Sequence, residues 1–387
     1  MSDVYILGLE SSCDETAAAI VRSGEQVISN SVASQIATHQ PYGGVVPELA
    51  SREHLRNIVP VVQRALDDAK RTYADVDAIA VTKGPGLAGS LLVGVSFAKA
   101  LAFSLEKPLI GVNHLEGHIH AVLLEEKQKG NHEMRFPLMT LVVSGGHTHL
   151  FLSRQQGELW TYENVGHTRD DAAGEAYDKV AKLLALGYPG GPVIDQLAKM
   201  GDARAVEFSI AQIKHPNRIR HDGHKRELSN EGEGPRFDFS YSGIKTAVLR
   251  YVETHDMRER IEARRAQLVT MSKPKAADVA ALCDKETIDL VASFQRTVVN
   301  DLVTKTLAAA RAYEIQTLFV SGGVAANSEL RETFERRGAE EGIPVYFPSR
   351  PLSTDNAAMI AAAAYPKWLA KEFAALDLSA DAALVLR

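Results

Sequence analysis

His114-Leu115-Glu116-Gly117-His118 sets two imidazoles four residues apart, directly after an apolar run that reads as a β-strand. If the chain turns helical after Asn113, residues at this spacing stand one above the other, roughly 5–6 Å apart at Cβ, and both rings can grip one ion. Near the other end, Ser353-Thr354-Asp355 follows another short strand and offers a carboxylate in a matching place. Two imidazole nitrogens and a carboxylate oxygen suit a borderline divalent ion such as iron(II) or zinc, and three protein ligands leave positions open for a substrate. The bland alternative is two surface histidines at helical spacing, since an isolated HxxxH is common.

The elements that must position these residues recur in the same order twice. Residues 5–9, 17–21 and 27–34 read as strands joined by polar turns, followed by a helix over 51–70. A buried strand over 78–82 then runs into the loop KGPGLAGS, a long apolar helix to Leu105, and the strand 109–112 that delivers His114. In the second half, 138–143, 148–153 and 159–164 form another meander, followed by the helix holding GEAYDKVAKLLAL. A buried strand over 318–321 enters the loop GGVAANS, a helix covers 329–341, and the strand 345–347 leads to Asp355. His114 and Asp355 thus hold equivalent positions in two βββαβα units. In open α/β sheets, ligands bind beyond the carboxyl ends of the strands, so two facing units predict a central cleft, with the histidine pair on one wall and Asp355 on the other. The expected lobes are 1–118, with a C-terminal helix over 355–374 returning to it, and 137–350.

Several loops fit an anion. Val142-Val143-Ser144-Gly145-Gly146 and Val320-Ser321-Gly322-Gly323 both end strands with paired glycines, which let backbone N–H groups converge without a Cβ in the way. Each alone is more often only a turn; two at matching strand ends carry more weight. Pro189-Gly190-Gly191-Pro192 adds a third pair, with Asp195 one helical turn beyond Gly191. Asp178 is either a solvated helix residue or a hydroxyl acceptor, and Asp14 and Glu15 are either solvated turn acids or groups facing the cleft.

Composition sets the bounds. The chain has 387 residues, 45% hydrophobic and 24% charged, long enough for two lobes with full cores. Only Cys13 and Cys283 are present, so there is no disulfide framework, which fits a reducing compartment and makes the cytoplasm the expected location. The N-terminus lacks the basic start of a secretory signal. The longest apolar stretch, 90–105, contains Lys99 and is expected to fall short of a membrane span. A net charge of −6 gives no overall electrostatic case for nucleic acid.

The duplicated order resembles the actin, Hsp70 and sugar-kinase superfamily. Within it, ESSCDETAAAI (10–20), SQIATHQPYGGVVPELASREH (34–54), HLEGHIHA (114–121), LVVSGGHTHL (141–150), DDAAGEAYDKVAKLLALGYPGGP (170–192), FSYSGIKT (239–246), SGGVAANSELR (321–331) and STDNAAMIA (353–361) closely resemble the TsaD/Gcp family. The resemblance spans nearly the whole chain. It implies transfer of a threonylcarbamoyl group from threonylcarbamoyl-AMP to N6 of the adenosine 3′ to the anticodon in tRNAs reading ANN codons. It also implies that His114, His118 and Asp355 hold iron(II) or zinc, and that Val142 to Gly146, Asp178, Gly191, Asp195 and Asn327 line the adenylate site. Asp14 and Glu15 would orient or deprotonate the incoming amine. The GGVVPELASREH wording resembles the bacterial branch, which implies a TsaB-like paralogous partner, docked through the first lobe, and a TsaE-like P-loop ATPase.

The chain departs from the compact family pattern at 213–237 and 255–284, which read as charged insertions. Arg218, Arg220, Lys225 and Arg226 in the first, and Arg258, Arg260, Arg264 and Arg265 in the second, either meet tRNA phosphates or face water among interleaved acids, the commoner case. Two other functions compete. A metallopeptidase uses the same histidine spacing, but Glu116 sits two residues beyond His114, about 200° around the helix, and points away. An actin-type kinase or ATPase needs the glycine loops but not the triad.

Overall fold

The computed structural model describes residues 3–210, 213, 234–271 and 274–387. Strands β1 (Tyr5–Glu10), β2 (Glu15–Arg22) and β3 (Gln26–Ser34) form an antiparallel meander. A single turn, α1 (Ile36–His39), leads into α2 (Pro47–Ala69), which opens with proline, the residue that tolerates a missing N–H in the first turn. Next come β4 (Ala78–Gly84), α3 (Ala88–Leu105), β5 (Leu109–Asn113) and α4 (His114–Gln128). The second unit holds β6 (Leu138–Val143), β7 (Thr148–Gln156), β8 (Leu159–His167), α5 (Ala173–Leu183) and α6 (Gly190–Ala198). Then follow α7 (Ser242–Thr254), α8 (Arg258–Thr270), α9 (Ala276–Ala281) and α10 (Lys285–Ala312). The chain ends with β9 (Thr317–Ser321), α11 (Ser328–Glu340), β10 (Val345–Tyr346), the turn α12 (Arg350–Ser353) and α13 (Ala357–Leu369).

Two five-stranded sheets result, ordered β3-β2-β1-β4-β5 and β10-β9-β6-β7-β8. In each, a meander is extended on its first strand by two parallel strands, so the sheets share one topology. The central strands β1, β4, β6 and β9 are buried almost throughout, as strands covered on both faces must be.

The first sheet carries α2 and α3 on one face and α13 with α4 on the other. Helix α4 also packs on the second sheet, where Leu115, Ile119 and Val122 meet Leu138, Val142, Phe151 and Phe319. It is therefore buried on nearly every side. Its polar residues His114, Glu116, His118 and His120 must find partners inside the protein.

Two expectations are corrected here. Helix α3 begins at Ala88 and spans 18 residues at a mean hydropathy of 1.6, so by length and composition it could cross a membrane. Its place excludes that: it is the crossover between the parallel neighbours β4 and β5, and Lys99 Nζ donates to Leu378 O at 3.1 Å. The lobe walls also differ from the simple picture, because α4 and α13 lie side by side. The metal candidates sit on the two segments by which the chain passes between its sheets.

Candidate metal centre and substrate cleft

Asparagine caps set the starts of both helices that bear on the candidate site. Asn113 Oδ1 accepts from Leu115 N at 2.9 Å and opens α4; Asn356 Oδ1 accepts from Met359 N at 3.1 Å and opens α13. His114 and Asp355 each adjoin one of these caps. Asp355 Oδ1 lies 3.2 Å from His118 Nε2 and 3.6 Å from His114 Nε2, and the His114 and His118 rings meet edge-on at 4.7 Å. The three donor atoms lie within 4.8 Å of one another, a candidate metal site.

Of the four polar residues on the first two turns of α4, three have partners outside the candidate triad. His114 Nδ1 faces Glu10 Oε2 at 3.1 Å and Ser12 Oγ at 3.2 Å. Glu116 pairs with Lys367 at 3.2 Å, and His120 Nε2 meets the Tyr162 hydroxyl at 3.1 Å. His118 is the exception: fully buried, it has no aligned hydrogen bond at either ring nitrogen among the described residues. A buried imidazole left so is costly, and a cation shared with His114 and Asp355 removes that cost. The donor set fits iron(II) or zinc.

Glu10 is the residue that sequence reasoning missed. Buried at the end of β1, its carboxylate accepts from Ser12 N at 2.5 Å and Thr82 Oγ1 at 2.7 Å, and holds the His114 nitrogen that faces away from Asp355. This is the carboxylate–imidazole support that metal-binding histidines usually have. Burial alone would lower the His114 pKa, but Asp355 and Glu10 outweigh it and lift it to about 9. For Glu10 and Asp355, burial pushes upward and the neighbouring histidines win, so both carboxyls are held below their ordinary range. His147 was also missed; its ring lies 6.0 Å from His114, and burial followed by the repulsion of His114 lowers its pKa to about 3.

The other predicted residues divide. Asp14 and Glu15 sit at the turn into β2, where burial, then Asp14 and Asp355, raise the Glu15 carboxyl to about 10. Glu15 thus holds its proton at neutral pH. Across the cleft, Asp178 Oδ1 accepts from Gly190 N at 2.7 Å; burial comes first among the causes that raise its pKa to about 6, and Asp14 adds to it. Gly145, Gly146 and Gly191 border open space. Val142 and Val143 do not offer side chains, since both pack into the cores and present only backbone. Gly322 is also a packing residue: at φ +94° it lies against the Val143 backbone with no room for a Cβ. Asp195 and Asn327 converge from α6 and the start of α11, with Ser328 Oγ donating to Asp195 Oδ1 at 2.8 Å.

Among the described insertion residues, each of the named arginines has a protein partner. Arg218, Arg220, Lys225 and Arg226 lie outside the described residues. Arg264 is buried and donates to Leu184 O, while Arg258, Arg260 and Arg265 pair with Glu253, Asp284 and Glu262.

Residues 26–362 match the family model TsaD, described as tRNA N6-adenosine threonylcarbamoyltransferase. A protein of that name from Koribacter versatilis is 67% identical over 387 residues, the full length of both chains. Another from Moorella thermoacetica is 47% identical over 379 residues, 98% of this chain and 96% of its own. Among solved structures, full-length HypF in its phosphate- and nucleotide-bound form superposes with a TM-score of 0.52 at 13% identity, covering 95% of this chain and 47% of HypF. That similarity bears on the fold, the two-lobed actin-like α/β architecture.

Proposed function

The chain belongs to the TsaD family of tRNA N6-adenosine threonylcarbamoyltransferases, acyltransferases that form t6A, and from that premise we propose how its cleft works. Threonylcarbamoyl-AMP lies with its nucleotide against Ser144 to Gly146, Asp178, Gly191, Asp195 and Asn327, and its carbamoyl group toward His114, His118 and Asp355. Those three hold one divalent ion, iron(II), with zinc the other ion the donor set accepts. When bound, the ion polarises the carbamoyl oxygen as a Lewis acid. The N6 amine of the adenosine 3′ to the anticodon in an ANN-reading tRNA attacks the carbamoyl carbon. The carbon–oxygen bond to phosphate breaks, and AMP leaves with the electron pair. Asp14 and Glu15 orient the amine, and Asp14 takes its proton, because the Glu15 carboxyl, raised to about 10, already carries one. Glu10 keeps the His114 ring in one orientation throughout.

The observation that supports this reading most directly is His118, buried 3.2 Å from Asp355 with no aligned hydrogen bond at either ring nitrogen among the described residues. The peptidase alternative loses its base, because the Glu116 carboxylate is buried against Lys367. The test combines threonylcarbamoyl-AMP, an unmodified ANN-reading tRNA and the protein with a TsaB-like partner and a TsaE-like ATPase, and measures modified nucleoside. His118→Ala is expected to abolish both product and bound metal while the chain stays folded. Product formation by a metal-free His118→Ala protein would refute the assignment.

A further inference from the structure

Gln295 sits mid-way along α10, 1% exposed, and touches neither the candidate metal site nor open cleft. Its amide is nonetheless fully used. Oε1 accepts from Asn327 Nδ2 at 2.7 Å, while Nε2 donates to Glu329 Oε2 at 3.0 Å and to Asp195 Oδ1 at 3.4 Å. The two carboxylates are acceptors, so they fix which way the amide points. One side chain thereby ties together α6, α10 and the start of α11.

The consequence lies in which atoms remain for a ligand. Asp195 Oδ1 already receives Ser328 N at 3.1 Å, Ser328 Oγ at 2.8 Å and Gln295, so Oδ2, which lies 3.8 Å from the exposed Lys199 Nζ and accepts no hydrogen bond among the described residues, is the oxygen left for a ligand. Asn327 Oδ1 caps α11 by accepting from Leu330 N at 3.0 Å, and one of its two amide hydrogens goes to Gln295. A single N–H remains. We infer that Gln295 is a positioning residue, which orients Asp195 and Asn327 so that one carboxylate oxygen and one amide N–H face the nucleotide part of the donor as an acceptor–donor pair. This rests on the adenylate site proposed above. Glutamine is the residue that meets the pattern: glutamate lacks the donors, methionine has neither donor nor acceptor amide, and asparagine is a methylene short.

The test uses the full-length, metal-loaded protein, with AMP as the probe for calorimetric binding and threonylcarbamoyl-AMP for steady-state kinetics. Gln295→Met keeps length and volume; it is expected to weaken AMP binding about tenfold, as loss of a buried hydrogen-bonding partner does. The KM for threonylcarbamoyl-AMP should rise similarly, with kcat nearly unchanged, the signature of lost ground-state binding. Gln295→Glu should also weaken AMP binding, by setting a third carboxylate beside Asp195 and Glu329, and adding Glu329→Gln should recover part of the loss. A purely structural role predicts no such recovery and no KM-against-kcat split. Unchanged AMP affinity and KM in folded Gln295→Met overturns the inference; if that variant does not fold, unchanged values in Gln295→Glu do the same. A wild-type protein that binds no AMP and consumes no threonylcarbamoyl-AMP removes the adenylate site itself, and the positioning role with it.

Discussion

The candidate metal chemistry concentrates in buried side chains that other buried side chains hold in place. On α4, Glu116, His114 and His120 each have a partner outside the candidate triad, whereas His118 meets Asp355 at 3.2 Å and has no aligned hydrogen bond among the described residues. Glu10 matters because it leaves His114 one free nitrogen and fixes its direction. Glu10→Gln keeps the shape but removes the charge, so metal affinity is expected to fall about 10- to 100-fold, the usual cost of losing such support. Metal titration of the purified variant checks this, and wild-type affinity would show that Glu10 is only a buried acid. His114, His118 and Asp355 were legible in the sequence because helical spacing and a duplicated topology are local signals. Glu10 was not, because nothing nearby in sequence says that the end of β1 faces a ring 104 residues away. Gln295 was hidden for the same reason, as a mid-helix polar residue whose partners come from other elements.

At the scale of elements, the site depends on how closely α13 approaches the first sheet. The closest point is Gly8 on β1: a Cβ there would collide with Ala357 O and stand 2.9 Å from Ala361 Cβ. The first turn of α13 carries Ala357, two residues after Asp355. Gly8→Ala is therefore expected to push the helix start away, with a stability loss of about 1–3 kcal/mol from overpacking and a weakened metal site. Thermal unfolding and metal content of the same sample decide it; a destabilised protein with full metal occupancy would show that Asp355 moves independently of the helix. Hydrophobic patterning placed the strands of both sheets well, since buried parallel strands leave strong patterns. It could not show that Gly322 serves packing rather than anion binding. Nor could it show that Gly84 and Gly86 in KGPGLAGS lie under the chain's own residues 381–384, with Gly86 N donating to Ala382 O at 3.2 Å. A glycine required by a neighbouring backbone and one left open for a ligand look alike until the neighbour is known.

At the scale of the whole molecule, the two sheets share one topology but their outer faces differ. The helices on the second sheet wrap a large continuous core, and both units leave some apolar side chains in solvent, several of them on the first lobe's helices. Leu55 and Val59, one turn apart on α2, are 66% and 57% exposed, and Leu92 on the adjacent α3 is 60% exposed. Scattered apolar residues are ordinary on a surface, but exposed ones on two helices that pack together are candidates for a face that partners cover. We propose this face for the partner contact through the first lobe that the family resemblance implies. Leu55→Glu should leave the isolated chain's stability within about 0.5 kcal/mol, as exposed substitutions do, while weakening partner binding at least tenfold if the leucine is a buried anchor in the complex. Val269→Glu, at a position 83% exposed on α8, is the control and should bind as wild type. Analytical ultracentrifugation of each variant with the partner separates the cases: equal binding by Leu55→Glu and Val269→Glu would place the partner elsewhere, and t6A synthesis that falls only in Leu55→Glu would tie the acyltransferase to that contact.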